Sequence, residues 1–449
     1  MVKIFVDETQ SGSKRTVSGL QREAMELLSF PIGQSKSMAL REWYADRELL
    51  LTGVTSDFGR ALLEKILRSF PNAKVYTVLR SRNGSDKEDR IRNIFLSPRF
   101  ERVRQELPDA ISRVKAFEGN LVYDELGTIK EERKLLQNVS VVLHAGGPCQ
   151  KLFEFCQKLP RLEVAAVVSS VFQQEGRTSE GSNDEHVADV PVAFLWLPLI
   201  GPAYREPMPG FVDVLTGPTA LIVGAGFALG KSQLRAEIIP IDLAVNSLIV
   251  SAWERATLKN VQGTLVYNAI PVDCTWAELI KKGRRGNRKF TYPTFGLRGM
   301  TSIAELHWIL VLLFEWLPSA FCDTILGQLG AKKRLLEEQR RVRNALRSLE
   351  SISSRSWSAE RNRLYLLHQR LSSEEQDAFP VAAEIDVESY VLCATAAARK
   401  YCVDDSNIGI VKIFRLLFFL SIAVAFLSMF FFNRYRTSET VTRREIEQF

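Results

Sequence analysis

Short apolar runs alternate with amphipathic stretches along the first half of the chain. The stretches Phe58–Ser69 and Lys87–Phe100 have helical spacing; in the first, Leu62 and Ile66 share an apolar face. The alternation of strand and helix patterns predicts an α/β fold with a parallel sheet flanked by helices. Four runs of five or six residues predict its buried strands: Glu48–Thr52, Lys74–Leu79, Val139–Leu143 and Val164–Val168.

The second half of the chain predicts mainly helices. Helical spacing returns at Ile241–Thr257, and Thr301–Tyr401 is almost entirely helical in pattern. Leu416–Phe432 has seventeen residues without a charge, and with Ile413–Arg415 it is long enough to predict a transmembrane helix. A second apolar run, Trp308–Phe314, has only seven residues, so we expect it to pack inside the protein.

These patterns divide the chain into five predicted parts. They are an N-terminal extension (1–45), an α/β domain (46–260), a mainly α-helical C-terminal domain (261–405), a transmembrane helix (413–432) and a tail (433–449). The 449 residues are 46% hydrophobic, which is enough for two folded units with cores of their own.

Composition narrows the classes of partner. The net charge of +7 is spread along the chain, and no stretch interleaves basic with aromatic residues, so we expect anionic small molecules or lipid headgroups and no nucleic acid. Six cysteines without a CxxC pair and four histidines predict neither a disulfide framework nor a metal site. The first sixteen residues carry no apolar signal core, so we expect the folded part to face the cytosol.

A glycine-containing loop lies between the first predicted strand and the first helix. The segment TGVTSDFG spans Thr52–Gly59, where free N–H groups and the helix dipole suit a pyrophosphate. Gly53 permits the turn and Gly59 permits close packing, but Ser56 stands where a third glycine is usual and Asp57 opposes an anion. A strand–turn–helix that binds nothing remains the alternative.

The second predicted strand ends next to basic residues. Arg80 and Arg82 suit a 2′-phosphate, whereas a carboxylate there would suit a ribose hydroxyl, so the pattern favours NADP over NAD. An ordinary solvated arginine pair is the alternative. The candidate dinucleotide-binding residues in these two segments are Gly53, Thr55, Ser56, Phe58, Gly59, Arg80 and Arg82.

Several long motifs, in order, resemble the fatty acyl-CoA reductase family over roughly residues 39–401. They are ALREWYADRELLLTGVTSDFGRALLEKILRSFPNAKVYTVLRSRNG, EGNLVYDELG, PAYREPMPGFVDVLTGPTALIVGAG, AEIIPIDLAVNSLIVSAW and IDVESYVLCATAAARKY. The resemblance implies a Rossmann-like extended short-chain dehydrogenase. It also implies NADPH-dependent reduction of long-chain fatty acyl-CoA to a primary fatty alcohol, with Asn120 at a cofactor position where the family usually has Asp.

The resemblance also implies the catalytic residues, and here the chain departs from the family. VVSSVF matches the strand that carries a carbonyl-polarising Ser or Thr, which makes Ser170 the candidate catalytic residue. The family's proton donor is the Tyr of a Tyr-x-x-x-Lys motif, and the chain contains no such motif. Segments are missing within Pro148–Val190, and Leu197 replaces a usual Arg. Tyr204, after the PLIGP turn, is a conceivable substitute donor.

Three functional interpretations stay open. The chain is an active reductase, a catalytically inactive relative that binds acyl chains, cofactor or a partner, or an incomplete splice form of an active enzyme. In each case we expect a tail-anchored membrane protein whose folded part is cytosolic. The family resemblance implies the peroxisomal membrane, with the endoplasmic reticulum as the alternative.

Overall fold

The structure is a computed structural model in which residues 39–449 form one compact unit. The residues it describes are 38–80, 86–147, 149–173, 181–183, 190–222, 226–258, 263–286, 298–330, 335–402 and 408–446. Arg82 and most of the predicted extension 1–45 therefore lie outside the described residues.

Eight strands form the main sheet: β1 Glu48–Thr52, β2 Lys74–Leu79, β3 Val114–Glu118, β4 Val141–His144, β5 Val164–Ser170, β6 Gly181–Asn183, β7 Val192–Leu197 and β11 Thr264–Asn268. Their order in the sheet is β3-β2-β1-β4-β5-β7-β11-β6. Every pairing in it is parallel except that of β6 with β11, so the predicted Rossmann-like parallel sheet is confirmed. Two smaller pairs join β8 Leu199–Gly201 to β10 Ile238–Pro240 and β9 Phe227–Leu229 to β12 Gly299–Thr301.

Helices flank the sheet and make up most of the C-terminal region. In the described part of the chain they are α1 Leu40–Tyr44, α2 Asp57–Ser69, α3 Lys87–Leu96, α4 Glu101–Glu106, α5 Lys130–Leu135, α6 Gln150–Cys156, α7 Gly217–Ile222, α8 Ile241–Thr257, α9 Trp276–Gly286, α10 Ala304–Val311, α11 Leu317–Gln328, α12 Leu335–Ser353, α13 Asn362–Arg370, α14 Ser373–Ala378, α15 Val387–Cys402 and α16 Ile408–Ile446. The predicted helical C-terminal region is confirmed.

The predicted elements differ from the observed ones mainly at their ends. The helix predicted over Lys87–Phe100 ends at Leu96, because Pro98 lacks the N–H that a continuing helix needs and starts a short 3₁₀ turn instead. The strand predicted over Val139–Leu143 is Val141–His144. Hydrophobic spacing alone does not fix the ends of an element more closely than this.

Alternate residues of the strands fill two apolar layers. Leu49 and Leu51 point to the layer that holds α2 and α8, whereas Leu50 points to the layer that holds α6. Helix α8 is buried along nearly its whole length and packs on β5 and β7. The short helix α1 joins this layer, since the Tyr44 hydroxyl donates to the Ile249 carbonyl at 2.9 Å.

Two helical segments in the described part of the chain are long and apolar enough to cross a membrane. One is Ile413–Arg434, which contains the predicted transmembrane segment 413–432 and whose most apolar part is only 6% buried. The other is Ala304–Gln328, which runs through α10, a π-helical turn at Leu312–Trp316 and α11 without a break. The expectation that Trp308–Phe314 packs inside was wrong for Trp308, whose surface is 65% exposed.

Candidate dinucleotide and catalytic site

The carboxyl ends of the parallel strands meet at one edge of the sheet, where β1 lies between β2 and β4. The chain order reverses between β1 and β4, and ligands of open α/β sheets bind in the crevice at such a switch point. The loop after β1, Asn120 after β3, Gly146 after β4 and Ser170 at the end of β5 all reach this edge. The topology thus gathers most of the predicted site residues.

The loop from Gly53 to Ser56 is built for close approach of α2 to the sheet. Gly53 has φ +81°, a conformation that favours glycine. A Cβ at Gly59 would lie 2.1 Å from the Gly53 carbonyl oxygen, so no other residue fits there without movement. Ser56 caps the helix: its Oγ accepts from the Gly59 N–H at 2.9 Å and donates to the Gly53 carbonyl at 2.8 Å.

The loop keeps hydrogen-bond donors for a phosphate despite the Ser56 cap. In the described part of the chain no acceptor lies within reach of the backbone N–H groups of Asp57 and Phe58, the first two of α2. Thr55 and Ser56 are exposed, whereas the Phe58 ring is buried, so Phe58 can contribute only its N–H. Helix N-termini of this kind bind pyrophosphate, so the residues present fit a nicotinamide dinucleotide.

The acidic side chain in the loop is neutralised by arginines. Asp57 forms an ion pair with the buried Arg99 and lies 3.6 Å from Arg60, and both arginines also contact Asp213. Burial raises the pKa of Asp57. Burial acts in the same direction on Asp213, but Arg99 and Arg60 hold its pKa below the usual range. The Asp57 carboxylate therefore presents less negative charge to a phosphate than the sequence alone suggests.

Two of the predicted cofactor-binding residues follow the ends of β2 and β3. Arg80 follows β2 and is exposed, and its carbonyl accepts a hydrogen bond from Arg90. Asn120 follows β3 in a tight turn, where its Oδ1 accepts from the Val122 N–H at 3.3 Å. The turn is compact, since a Cβ at Gly119 would lie 2.3 Å from the Leu126 carbonyl oxygen. The structure places Arg80 and Asn120 after adjacent strands.

A buried histidine at the end of β4 was missed by the sequence reading. His144 pairs with Thr52 across β1 and β4, with 2.7 Å between its Nδ1 and the Thr52 Oγ1, and its Nε2 lies 3.2 Å from the Gly147 carbonyl oxygen. Burial lowers the pKa of His144, so the ring stays neutral near pH 7. The sequence signal that could have revealed His144 is that two otherwise apolar strands, β1 and β4, each end in a polar residue.

Ser170 ends β5 and is half-buried. Its Oγ accepts from the Phe172 N–H at 3.3 Å, which leaves the hydroxyl proton for a substrate carbonyl. Phe172 in turn packs edge-on against Trp357, with 4.7 Å between ring centroids. Ser170 thus has the hydrogen-bonding capacity that the prediction requires.

The connection from Ser170 to β7 is short. β5 and β7 are adjacent and parallel, so the chain between them must cross over, and such connections usually contain a helix. Here the described residues show a 3₁₀ turn, Val171–Gln173, and then β6, which pairs with the far edge of β11. The whole connection between Ser170 and β7 has 21 residues, ten before β6, three in it and eight after it. None of them is a tyrosine.

Tyr204, the conceivable substitute donor, lies in a turn whose backbone is held by Asp242. The Asp242 carboxylate accepts hydrogen bonds from the N–H groups of Tyr204, Arg205 and Glu206, at 2.8, 2.7 and 3.1 Å. Glu206 forms an ion pair with Lys65 of α2 at 2.6 Å. The turn is therefore held between α2 and α8.

Two family models described as "Male sterility protein" match the chain, an NAD-binding one at residues 51–150 and a second at residues 314–405. Solved structures share the fold. The reductase domain of a non-ribosomal peptide synthetase from Mycobacterium tuberculosis has a TM-score of 0.55 at 15% identity, covering 79% of this chain and 91% of that one. The terminal R domain of the myxalamid PKS-NRPS pathway has a TM-score of 0.50 at 16% identity, covering 81% and 92%.

Curated relatives match over most of their length. "Fatty acyl-CoA reductase wat" of Drosophila melanogaster is 24% identical over 453 positions, covering 82% of this chain and 87% of the relative. "Fatty acyl-CoA reductase 1" of Xenopus laevis is 23% identical and covers 83% and 88%. The fold, the loop between β1 and α2 and the matches with known proteins together define a Rossmann-type oxidoreductase with a nicotinamide cofactor. More narrowly, the matches with curated relatives support the fatty acyl-CoA reductase family.

The alignment with the Drosophila relative also shows a difference in length. Since 82% of 449 residues is about 368, roughly 85 of the 453 aligned positions are residues of the relative with no counterpart in this chain. This agrees with the missing segments expected from the resemblance.

Proposed function

We propose that the chain binds NADPH and a long-chain fatty acyl-CoA beside a membrane and retains little of the family's reduction to a primary fatty alcohol. The observation that carries the proposal is the β5–β7 connection, which follows a competent Ser170 but contains no tyrosine. The complete reaction would consume two NADPH and two protons: the first hydride would reduce the thioester to an aldehyde with release of the CoA thiol, and the second would reduce the aldehyde to the alcohol.

Ser170 accounts for binding and polarisation of the carbonyl. Its Oγ already accepts from the Phe172 N–H, so its own proton is directed to another acceptor, and a substrate carbonyl oxygen fits that role. A serine hydroxyl near neutral pH donates a hydrogen bond but transfers its proton poorly. The developing alkoxide therefore lacks the acid that the family's Tyr supplies, which typically contributes about 10²–10⁴-fold to the rate.

Tyr204 is a poor replacement for that acid. Asp242 and the Glu206–Lys65 ion pair hold its turn between α2 and α8. A general acid must lie within hydrogen-bond reach of the oxygen that it protonates. A comparison of Tyr204→Phe with the parent chain tests this point, and we expect no change in any residual activity.

The preference for NADPH rests on Arg80. Its exposed side chain follows β2, where the 2′-position of the adenosine ribose lies in dinucleotide sites of this fold. A charge-assisted hydrogen bond to a 2′-phosphate is worth roughly 1.5–3 kcal/mol. We expect NADPH to bind roughly ten- to a hundredfold more tightly than NADH, because 1.4 kcal/mol corresponds to a factor of ten.

The membrane attachment rests on the helix Ile413–Arg434. Its side chains are almost all exposed and apolar, from Leu416 to Phe432, and 22 residues are long enough to span a bilayer. The proposed location is the cytosolic side of the peroxisomal membrane, with the endoplasmic reticulum as the alternative. Carbonate extraction of the full chain and of a version ending at Asp405 tests the anchor, which fails if both are released equally.

A splice form of an active reductase is the second candidate, favoured by the roughly 85 positions that the Drosophila relative has and this chain lacks. Amplification of transcripts across the codons for Pro148–Val190 tests it. A longer transcript that encodes Tyr-x-x-x-Lys would assign the catalytic activity to the longer protein. A single short transcript would favour the binding function.

Calorimetry on the purified full chain in detergent tests the proposed binding. We expect NADPH and palmitoyl-CoA each to bind at one site. If the protein is folded and binds neither ligand, the proposal is contradicted.

A further inference from the structure

Between His307 and Asp323, the helical segment Ala304–Gln328 turns its polar residues towards the protein and leaves several large apolar residues exposed. Its polar stripe faces the protein: His307, Glu315, Ser319 and Asp323 are spaced eight, four and four residues apart and are buried or half-buried. A helix on the surface of a water-soluble domain has the opposite arrangement. The segment therefore has the pattern of a helix whose outer face meets a non-aqueous environment.

The buried stripe is held by a polar network. Glu315 is fully buried, forms an ion pair with Arg343 of α12, and accepts from the Gln339 side-chain amide at 2.6 Å and the Phe227 N–H at 2.8 Å. The Asp323 carboxylate accepts from the first described N–H groups of α12, at 3.0 and 3.1 Å. These bonds attach the segment to the rest of the protein along its length.

The outer face is a continuous apolar stripe. Leu306, Ile309, Leu313 and Leu317 follow one another at intervals of three or four residues and are each 41–45% exposed, with Trp308 beside them at 65%. An exposed apolar stripe of this length is uncommon on soluble proteins and typically marks an interaction site.

The segment that carries the stripe also packs against the start of the proposed anchor. Arg415, near the start of the apolar helix, donates to the Ser319 Oγ at 3.2 Å. Next to this contact, Phe314 stacks on Phe419 and Phe321 packs on Phe418, with ring centroids 5.6 and 5.2 Å apart. If residues 413–434 enter a bilayer, the outer face of Ala304–Leu317 lies at the surface that they enter.

We propose that the stripe from Leu306 to Leu317 lies along the membrane, with its side chains in the acyl-chain boundary of the leaflet that the anchor enters first. The inference rests on the proposed anchor. The segment lies along the membrane and does not cross it, because Glu315 and Asp323 bind groups of the folded domain that a crossing helix would carry into lipid. Trp308 then sits at the interface, where indole rings are favoured.

Tryptophan quenching by lipid tests the proposal on the full chain. The parent, Trp308→Phe and Trp43→Phe are reconstituted into vesicles of phosphatidylcholine with or without brominated acyl chains. Trp43 is the matched control because it is buried in α1, with 5% of its surface exposed. We expect the brominated lipid to quench the parent, and Trp308→Phe to lose the larger part of that quenching while Trp43→Phe keeps it.

The outcomes separate the stripe from the anchor. Equal quenching of the parent and Trp308→Phe, in protein that resists carbonate extraction, would overturn the stripe and leave the anchor standing. Release of the parent by carbonate would overturn the anchor and with it the stripe. As a second variant, Leu313→Glu should leave secondary structure unchanged but lower the quenching of Trp308, because a carboxylate in the stripe opposes insertion.

Discussion

Replacement of Gly59 by alanine should damage both the fold and the dinucleotide site. The new Cβ would lie 2.1 Å from the Gly53 carbonyl oxygen, 2.7 Å from its carbonyl carbon and 2.9 Å from the Val54 Cα. All three are backbone atoms, so α2 must move away from β1 by roughly 1 Å to restore an ordinary contact. Overpacking of this kind costs about 1–3 kcal/mol.

The same movement displaces the N–H groups of Asp57 and Phe58 from the phosphate position. We expect NADPH affinity to fall at least about tenfold, since 1.4 kcal/mol is a factor of ten. Urea denaturation measures the first effect and calorimetry the second, with Ser69→Ala at the other end of α2 as control. Unchanged stability and affinity in Gly59→Ala would refute the account of the loop.

Three further predictions follow from named contacts. Arg80→Ala should weaken NADPH binding by roughly 1.5–3 kcal/mol without changing NADH binding, whereas Arg92→Ala, equally basic but on α3, should change neither; equal losses for both cofactors would contradict the 2′-phosphate contact. Glu315→Gln leaves the buried Arg343 without its ion-pair partner and should lower the free energy of unfolding by about 3–5 kcal/mol, so an unchanged urea midpoint would count against the network. Burial alone would raise the pKa of Glu206, but Lys65 and Arg68 lower it to about 2. The ionised Glu206 carboxylate therefore contributes its full stabilisation above the pKa of an unfolded glutamate and loses it as pH falls towards about 2. Glu206→Gln should have a lower free energy of unfolding than the parent at neutral pH, and the difference should shrink in acid.

Much of the sheet could be predicted because its signal is local. Glu48–Thr52 and Lys74–Leu79 were confirmed at both ends, since buried parallel strands are continuous apolar runs bounded by polar residues. The helix Ile241–Thr257 was also confirmed at both ends. In these three segments nearly every residue is buried.

The electrostatics of the loop could not be predicted, because its partners are distant in sequence. Asp57 was interpreted as opposing an anion, yet Arg99, 42 residues later, pairs with it. Arg99 also contacts Asp213, 114 residues further on. Such an arrangement depends on how α2, the turn after α3 and the segment before α7 pack together, which no local pattern reports.

The Trp308–Phe314 segment shows a different failure. A count of consecutive apolar residues stops at Glu315 and gives seven, so the run was taken as internal packing. The structure continues the helix through Glu315, whose charge is satisfied by Arg343. The outer face remains apolar across that residue, and only the three-dimensional arrangement reveals it.

Fatty alcohol production is the measurement that tests the central claim most directly. Purified full-length chain is incubated with palmitoyl-CoA and excess NADPH, next to the Xenopus laevis reductase that it resembles. We predict that this chain binds NADPH but forms the alcohol about 10²–10⁴-fold more slowly, because Ser170 polarises the carbonyl without a proton donor beside it. Turnover comparable to that of the Xenopus enzyme would contradict the account.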